Sequence, residues 1–199
     1  MDGPLLPPDA LVVVDGFEID LTEVTVGSYQ ACIEAGKCSP PGTGGACNWN
    51  KLGRDRHPIN CVDWSQAVAY CGFVRKRLPT EQEWEHAARG PDGQEYPWKA
   101  GPPGDQLCWN RQGTCAVGRF PAGASPFGAL DMAGDVREWT ATTYCPSEEG
   151  NECKDDRKVI RGGGWNNVKA EHVRAQARSS EQVVARHDDV GFRCARARK

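Results

Sequence analysis

The sequence predicts an α+β fold: a single irregular, loop-rich domain of short helices and short strands. Three features of its 199 residues predict this. Gly (23) and Pro (14) occupy nearly a fifth of the chain, too much backbone punctuation for a helical bundle. Seven Trp supply anchors for long turns, and ten Cys are enough to staple them. The length fits one domain or a tight pair. The domain is placed at residues 11–199, with residues 1–10 as an N-terminal extension.

From the N-terminus, Val12-Val13-Val14 and Phe17-Glu18-Ile19-Asp20 read as short strands. A short helix follows Thr25, which is a capping residue; Tyr29, Cys32 and Ile33 share one face, and Gly36 ends it. Residues 39–57 are a Pro/Gly-rich loop. The strongest helix begins at Asp63, where Asp63 and Gln66 have capping-box spacing and Trp64, Ala67, Val68, Cys71 and Val74 form an apolar stripe. After Pro79, Thr80 and Glu83 repeat that spacing, with Trp84, Ala87 and Ala88 facing inward and Gly90-Pro91 as the stop. Residues 91–157 show little periodicity and are expected as turns, Trp anchors and short strands. Val159-Ile160-Arg161 then leads into Gly162-Gly163-Gly164-Trp165, where glycines permit close backbone approach or positive φ.

Composition excludes several classes. Mean hydropathy is -0.61, and no stretch approaches the roughly 18 consecutive apolar residues of a membrane span. Met1-Asp2-Gly3-Pro4 starts neither a basic n-region nor an apolar h-region, so no export signal is expected in the sequence as it stands. The net charge of -3 hides an asymmetry: residues 1–156 carry -10 and residues 157–199 carry +7. The basic arginines (Arg161, Arg174, Arg178, Arg186, Arg193) are spread singly rather than clustered. That pattern fits docking onto the acidic part of the chain better than nucleic acid.

The cysteines contain no C-x-x-C, which argues against zinc ribbons and thioredoxin-type redox sites. Their even number permits full pairing and hence an oxidising, extracytoplasmic compartment; free core thiols are the alternative. No G-x-S-x-G is present, and His57, His86, His172 and His187 have no recognisable nucleophile pattern. Glu81/Glu85 and Glu148/Glu149 read as solvated faces. A zinc or iron site from His172 and His187 lacks a third ligand.

Several segments together carry a family. Phe17 to Thr25, His57-Pro58-Ile59-Asn60-Cys61-Val62-Asp63-Trp64, Arg77 to Gly90 and Tyr96-Pro97-Trp98 come first. Phe127 to Thr140, Arg161-Gly162-Gly163-Gly164-Trp165 and Gly191-Phe192-Arg193-Cys194 follow in order. The chain resembles the formylglycine-generating enzyme, or sulfatase-modifying-factor, family from about residue 11 to 195. The resemblance implies one compact domain related to the C-type-lectin fold. Members usually begin with a Gly-Gly-x-Phe-x-Met-Gly strand that is missing here, so the expectation is either a truncated N-terminus or a partner segment that completes that strand.

The family is functionally mixed, and fold alone does not fix function. Its best-known members oxidise a substrate cysteine with O2 and copper held by two cysteines. Others act with iron, modify chromophores, or serve as modules attached to bacterial Ser/Thr kinases. By resemblance, a structural calcium ion would be held by Asp131, the carbonyls of Gly134 and Val136, and Glu138; pairing of these carboxylates with tail arginines is the competing reading. Trp165, Asn166, Asn167, His172, Arg174 and Arg178 would line the ligand groove. The two copper-binding cysteines of the family fall on Asn167 and His172, so copper is not expected.

The resemblance also implies a Cys71–Cys194 disulfide. Short-range closure suggests Cys38–Cys47, Cys108–Cys115 and Cys145–Cys153, which leaves Cys32–Cys61. The expected function is a non-catalytic ligand-binding or sensory module of an exported or multidomain bacterial protein, for example the extracellular part of a Ser/Thr kinase. Its partner would be a small molecule or peptide, without nucleic acid or membrane insertion. The alternative is an oxidoreductase of the same family with a rebuilt site, dependent on non-heme iron or another metal.

Overall fold

The computed structural model describes residues 10–99, 101–145 and 156–198. Strands β1 (Leu11–Val14) and β2 (Phe17–Asp20) form a hairpin across the two-residue Asp15-Gly16 turn, in which Gly16 takes φ +85°. Helices α1 (Val26–Glu34), α2 (Trp64–Phe73) and α3 (Glu81–Arg89) follow, the last two opened by the capping boxes that the sequence predicts. The C-terminal half contributes β3 (Arg137–Thr143), β4 (Arg157–Arg161), β5 (Arg178–Gln182), β6 (Val190–Gly191) and β7 (Ala195–Ala197).

Two small sheets result. The first has the order β1-β2-β7, all antiparallel; the second has the order β5-β4-β3-β6, with β3 and β6 parallel. A core of Tyr29, Tyr70, Trp139, Ile160 and Phe192 joins α1 and α2 to the second sheet. Tyr29 stacks on Tyr70 with centroids 5.6 Å apart, and the Phe192 ring meets both edge-on. A second cluster packs Val12, Val14, Phe17 and Ile19 against Trp84, Ala87, Ala88 and Met132.

Four residues of the expected α2 stripe face the core: Ala67 and Cys71 are buried, and Trp64 and Val74 pack against them. Val68 is the exception, 40% exposed, and Gln66 and Tyr70 widen the buried face. The Gln66 amide donates to the Ser39 and Pro40 carbonyls and to the Ser39 hydroxyl, which holds it inward.

Disulfides join Cys71 to Cys194 and Cys108 to Cys115. Two expected pairs, the short-range Cys38–Cys47 and the remaining Cys32–Cys61, are corrected: Cys32 bonds Cys38 and Cys47 bonds Cys61. The end of α1 explains this. Both Lys37 N and Cys38 N donate to the Cys32 carbonyl, which folds Cys38 back beside Cys32. Cys153 lies outside the described residues, and with it the Cys145–Cys153 pair.

The basic tail docks onto the acidic body. Arg161 pairs with Glu85, Arg178 with Glu81, Arg186 with Asp63, Arg193 with Glu138 and Arg196 with Glu18. Glu81 and Glu85 are therefore not a solvated face, because each anchors a tail arginine; Glu148 and Glu149 lie outside the described residues.

Candidate functional site

Between α3 and β3 the chain makes a tight turn. Asp131 and Asp135 take φ +55° and +54°, on either side of Gly134 at φ +77°. A Cβ on Gly134 would sit 2.4 Å from the Cys108 carbonyl oxygen, so this close approach requires glycine. The turn gathers carboxylates that are buried almost completely. Asp131 Oδ2 accepts from Gly118 N at 2.6 Å and Asp135 Oδ1 accepts from Cys115 N at 3.1 Å. Glu138 on β3 is gripped by Arg193 Nε and Nη2 at 2.8–3.0 Å and by Trp84 Nε1 at 2.8 Å. Arginine pairing, the competing reading for these carboxylates, is what Glu138 makes.

Glu23 and one oxygen of Asp135 are left over. Both Glu23 carboxylate oxygens and Asp135 Oδ2 are buried without a hydrogen-bond donor. Burial, reinforced by the charges of Asp131 and Asp135, drives Glu23 well above the usual carboxylate range, and burial and Asp131 do the same to Asp135. Burial pushes Asp131 up to about 6. Orphaned buried carboxylate oxygens suit a hard cation, so the chemistry of this region fits calcium. Among the described residues no three His, Cys, Asp or Glu side chains form a metal-holding group, so an ion here would depend on carbonyls such as those of Gly134 and Val136.

At the Arg161 end of β4 lies a cavity of about 410 Å³ lined by residues that include Arg137, Arg161, Gly163, Asn167, His172 and Arg178. Gly163, at φ +71°, lets the 162–173 loop close over it: a Cβ there would lie 2.6 Å from the His172 carbonyl oxygen. Asn167 Oδ1 caps this bend by accepting from Gly164 N at 2.9 Å. The wall is strongly polar. Arg137 makes a two-pronged pair with Asp189, and Arg178 makes one with Glu81 while lying over the Tyr144 ring at 4.8 Å.

Of the six residues expected in the groove, Asn167, His172 and Arg178 line this cavity. Trp165, Asn166 and Arg174 do not. The Trp165 indole is held by the Asp188 carbonyl, the Asn166 amide by Asp189, and Arg174 by Glu95, so each is turned to another partner. Arg137, Arg161 and Asp189 were missed. Arg161 directly precedes the glycine run, and that adjacency was the available signal for it. Asp189 reaches the cavity only through the β3–β6 pairing, which no local pattern announces. His187 is not part of the lining; it faces Glu181 at 3.5 Å.

A family model described as the sulfatase-modifying factor enzyme 1-like domain matches residues 4–198. The inactive C-alpha-formylglycine-generating enzyme 2 of Mus musculus is 36% identical over 156 residues, covering 69% of this chain and 48% of that protein. The serine/threonine-protein kinase pkn1 of Chlamydia caviae is 34% identical over 158 residues, covering 74% of this chain and 25% of that protein. Among solved structures, PvdO from Pseudomonas aeruginosa superposes with a TM-score of 0.74 at 25% identity, over 91% of this chain and 80% of that one. The chain thus spans about half the length of the first of these relatives. The α+β, loop-rich architecture is of the formylglycine-generating type, related to C-type lectins.

Proposed function

The chain belongs to the sulfatase-modifying factor enzyme 1-like family, and on that premise we propose that it is a non-catalytic, ligand-binding member. The observation that carries this reading is the identity of two cavity residues. Asn167 and His172 line the wall, and by the sequence resemblance they fall where cysteine-oxidising members have their copper-binding thiols. An amide and an imidazole do not replace soft thiolates for Cu(I), and neither exchanges with a substrate cysteine. The cysteines of this region are held elsewhere, Cys194 to Cys71 and Cys108 to Cys115.

Incubation with copper, reductant, O2 and a Cys-x-Pro-x-Arg peptide is expected to yield no aldehyde by mass spectrometry. Turnover above a copper-only blank would overturn the reading.

The resemblance to a kinase in part of its length supports placing the chain as a sensory module of an exported or multidomain protein. The four disulfides among described residues support an extracytoplasmic location. A structural calcium ion would be held by Asp131 and the Gly134 and Val136 carbonyls, with Glu23 and Asp135 adding negative charge nearby; Glu138, expected as a further ligand, is taken by Arg193 and Trp84 instead. Such an ion would neutralise buried carboxylates that Arg193 alone does not balance. Millimolar calcium is then expected to raise the melting temperature and chelator to lower it, because an ion bound only by the native state stabilises it by mass action. Asp131→Ala should abolish the response; an unchanged melting temperature in the parent protein would count against the ion.

A further inference from the structure

We propose that a groove between α1 and the 49–55 loop receives a peptide segment of a partner protein. An apolar side chain of the peptide sits on Trp49 and Leu52, and a neighbouring lysine or arginine lies beside Glu34 and Asp55. This goes beyond the family reading and does not depend on it.

The groove has a volume of about 530 Å³. Helical spacing builds one wall: Val26, Gln30, Ile33 and Glu34 stand at i, i+4, i+7 and i+8, so they share a face of α1. The loop builds the other. Trp49 meets the Tyr29 ring edge-on at 6.4 Å, and the Asp55 carbonyl accepts from Gly27 N at 3.0 Å. Both walls are stapled, since Cys32–Cys38 closes the end of α1 and Cys47–Cys61 closes the loop. A groove fixed before binding spares a partner the entropy of ordering it.

Apolar surface here has no cover. Leu52 is fully exposed, and Ile33 and Trp49 are only partly buried. Charge selects what covers it. Glu34 and Asp55 make no ion pair among the described residues, and Glu34 accepts only the Gln30 amide, at 2.7 Å. Glu34 also lies in the last turn of α1, the negative end of the helix, where no basic residue offsets it. Lys51, the cation of the lining, donates to the Gly45 carbonyl at 2.6 Å, and Arg54 is directed at His57 and Thr114. A cation carried between apolar neighbours therefore matches the groove, and an anion does not. A free ammonium ion would meet the carboxylates but leave Trp49 and Leu52 bare; a peptide covers both.

The test is titration with acetyl-Leu-Lys-Leu-Arg-amide, followed by the amide chemical shifts of Asn50 and Leu52. Saturable shifts are expected. The neutral acetyl-Leu-Gln-Leu-Gln-amide and the non-apolar acetyl-Gly-Lys-Gly-Arg-amide should each bind about tenfold more weakly. Glu34→Gln and Asp55→Asn should each weaken the first peptide about two- to fivefold, the scale of an exposed ion pair. Leu52→Ala, at a fully exposed position that the fold does not use, should weaken it about tenfold. Val184→Ala, at an exposed position outside the groove, should change nothing. Non-saturable shifts, equal affinity for the three peptides, or affinities unchanged in the Glu34, Asp55 and Leu52 variants would overturn the proposal. Binding of n-butylammonium as tight as that of the peptide would overturn it too, because the apolar wall would then contribute nothing. Self-association of the parent protein in sedimentation, abolished by Leu52→Ala, would make a second copy the occupant and likewise overturn it. The aldehyde assay tests the non-catalytic reading separately, whatever these peptides do.

Discussion

Arg193 is the cation around which the interior carboxylates are arranged. Fully buried, it donates to both oxygens of Glu138 and to the carbonyls of Asp20, Leu21 and Leu130. Burial alone would make its charge harder to hold, but Glu138 outweighs that and keeps it charged. Arg193→Met should therefore cost about 3–5 kcal/mol in urea denaturation, because it leaves buried carboxylates without their cation. A second residue gives a pH signature. Burial pulls His57 down to about 4, with Arg54 and Arg119 repelling its proton. Unfolded, the imidazole binds its proton near 6.5, so between those values unfolding takes up a proton. The contribution of His57 is complete above the upper value and lost as pH falls toward the lower one. Asp131, Glu23 and Asp135, all raised, act in the opposite sense. Denaturation of His57→Gln beside the parent isolates the histidine: the stability gap should change across this window and stay flat above it.

At the scale of elements, what was legible in the sequence was what local chemistry decides. Thr80 with Glu83, and Asp63 with Gln66, satisfy helix donors within four residues, and both helices start where those residues predict. Most of the inward face of α2 was legible too, at Trp64, Ala67, Cys71 and Val74, but the burial of Gln66 was not, because it is held by the distant Ser39 and Pro40. β5, an Arg-Ser-Ser-Glu-Gln strand with no apolar alternation, is held as an edge by β4 and by Arg178 on Glu81. The staples divide by reach. Cys71–Cys194 ties α2 to the start of β7 across 123 residues, whereas Cys32–Cys38 spans six. Paired replacement of Cys71 and Cys194 by Ala should cost about 4–5 kcal/mol in the chain-entropy account, and more than the same replacement of Cys32 and Cys38, by thermal denaturation.

Across the whole molecule, charge separated along the sequence is rejoined in space: the tail arginines lie on carboxylates of α2, α3, β2 and β3 or their caps. The tail's composition suggested that much; which arginine meets which carboxylate needed the topology. The half of the groove that was legible, Asn167, His172 and Arg178, follows the glycine run, and Arg178 lies within the tail segment. The rest arrives from strands distant in sequence.

The first sheet has a mechanical consequence. Leu11 opens its edge strand and Ala197 lies in β7 on the opposite edge, so flanking chain would pull on the two borders of one small sheet. Tension from the β7 side peels only the few residues beyond Cys194 before it meets the covalent tie to α2. The load then passes into the helix, and β4 and the cavity beside it stay out of the force path. A domain wired this way keeps the shape of that cavity under stretch, as a rivet protects the panel behind it.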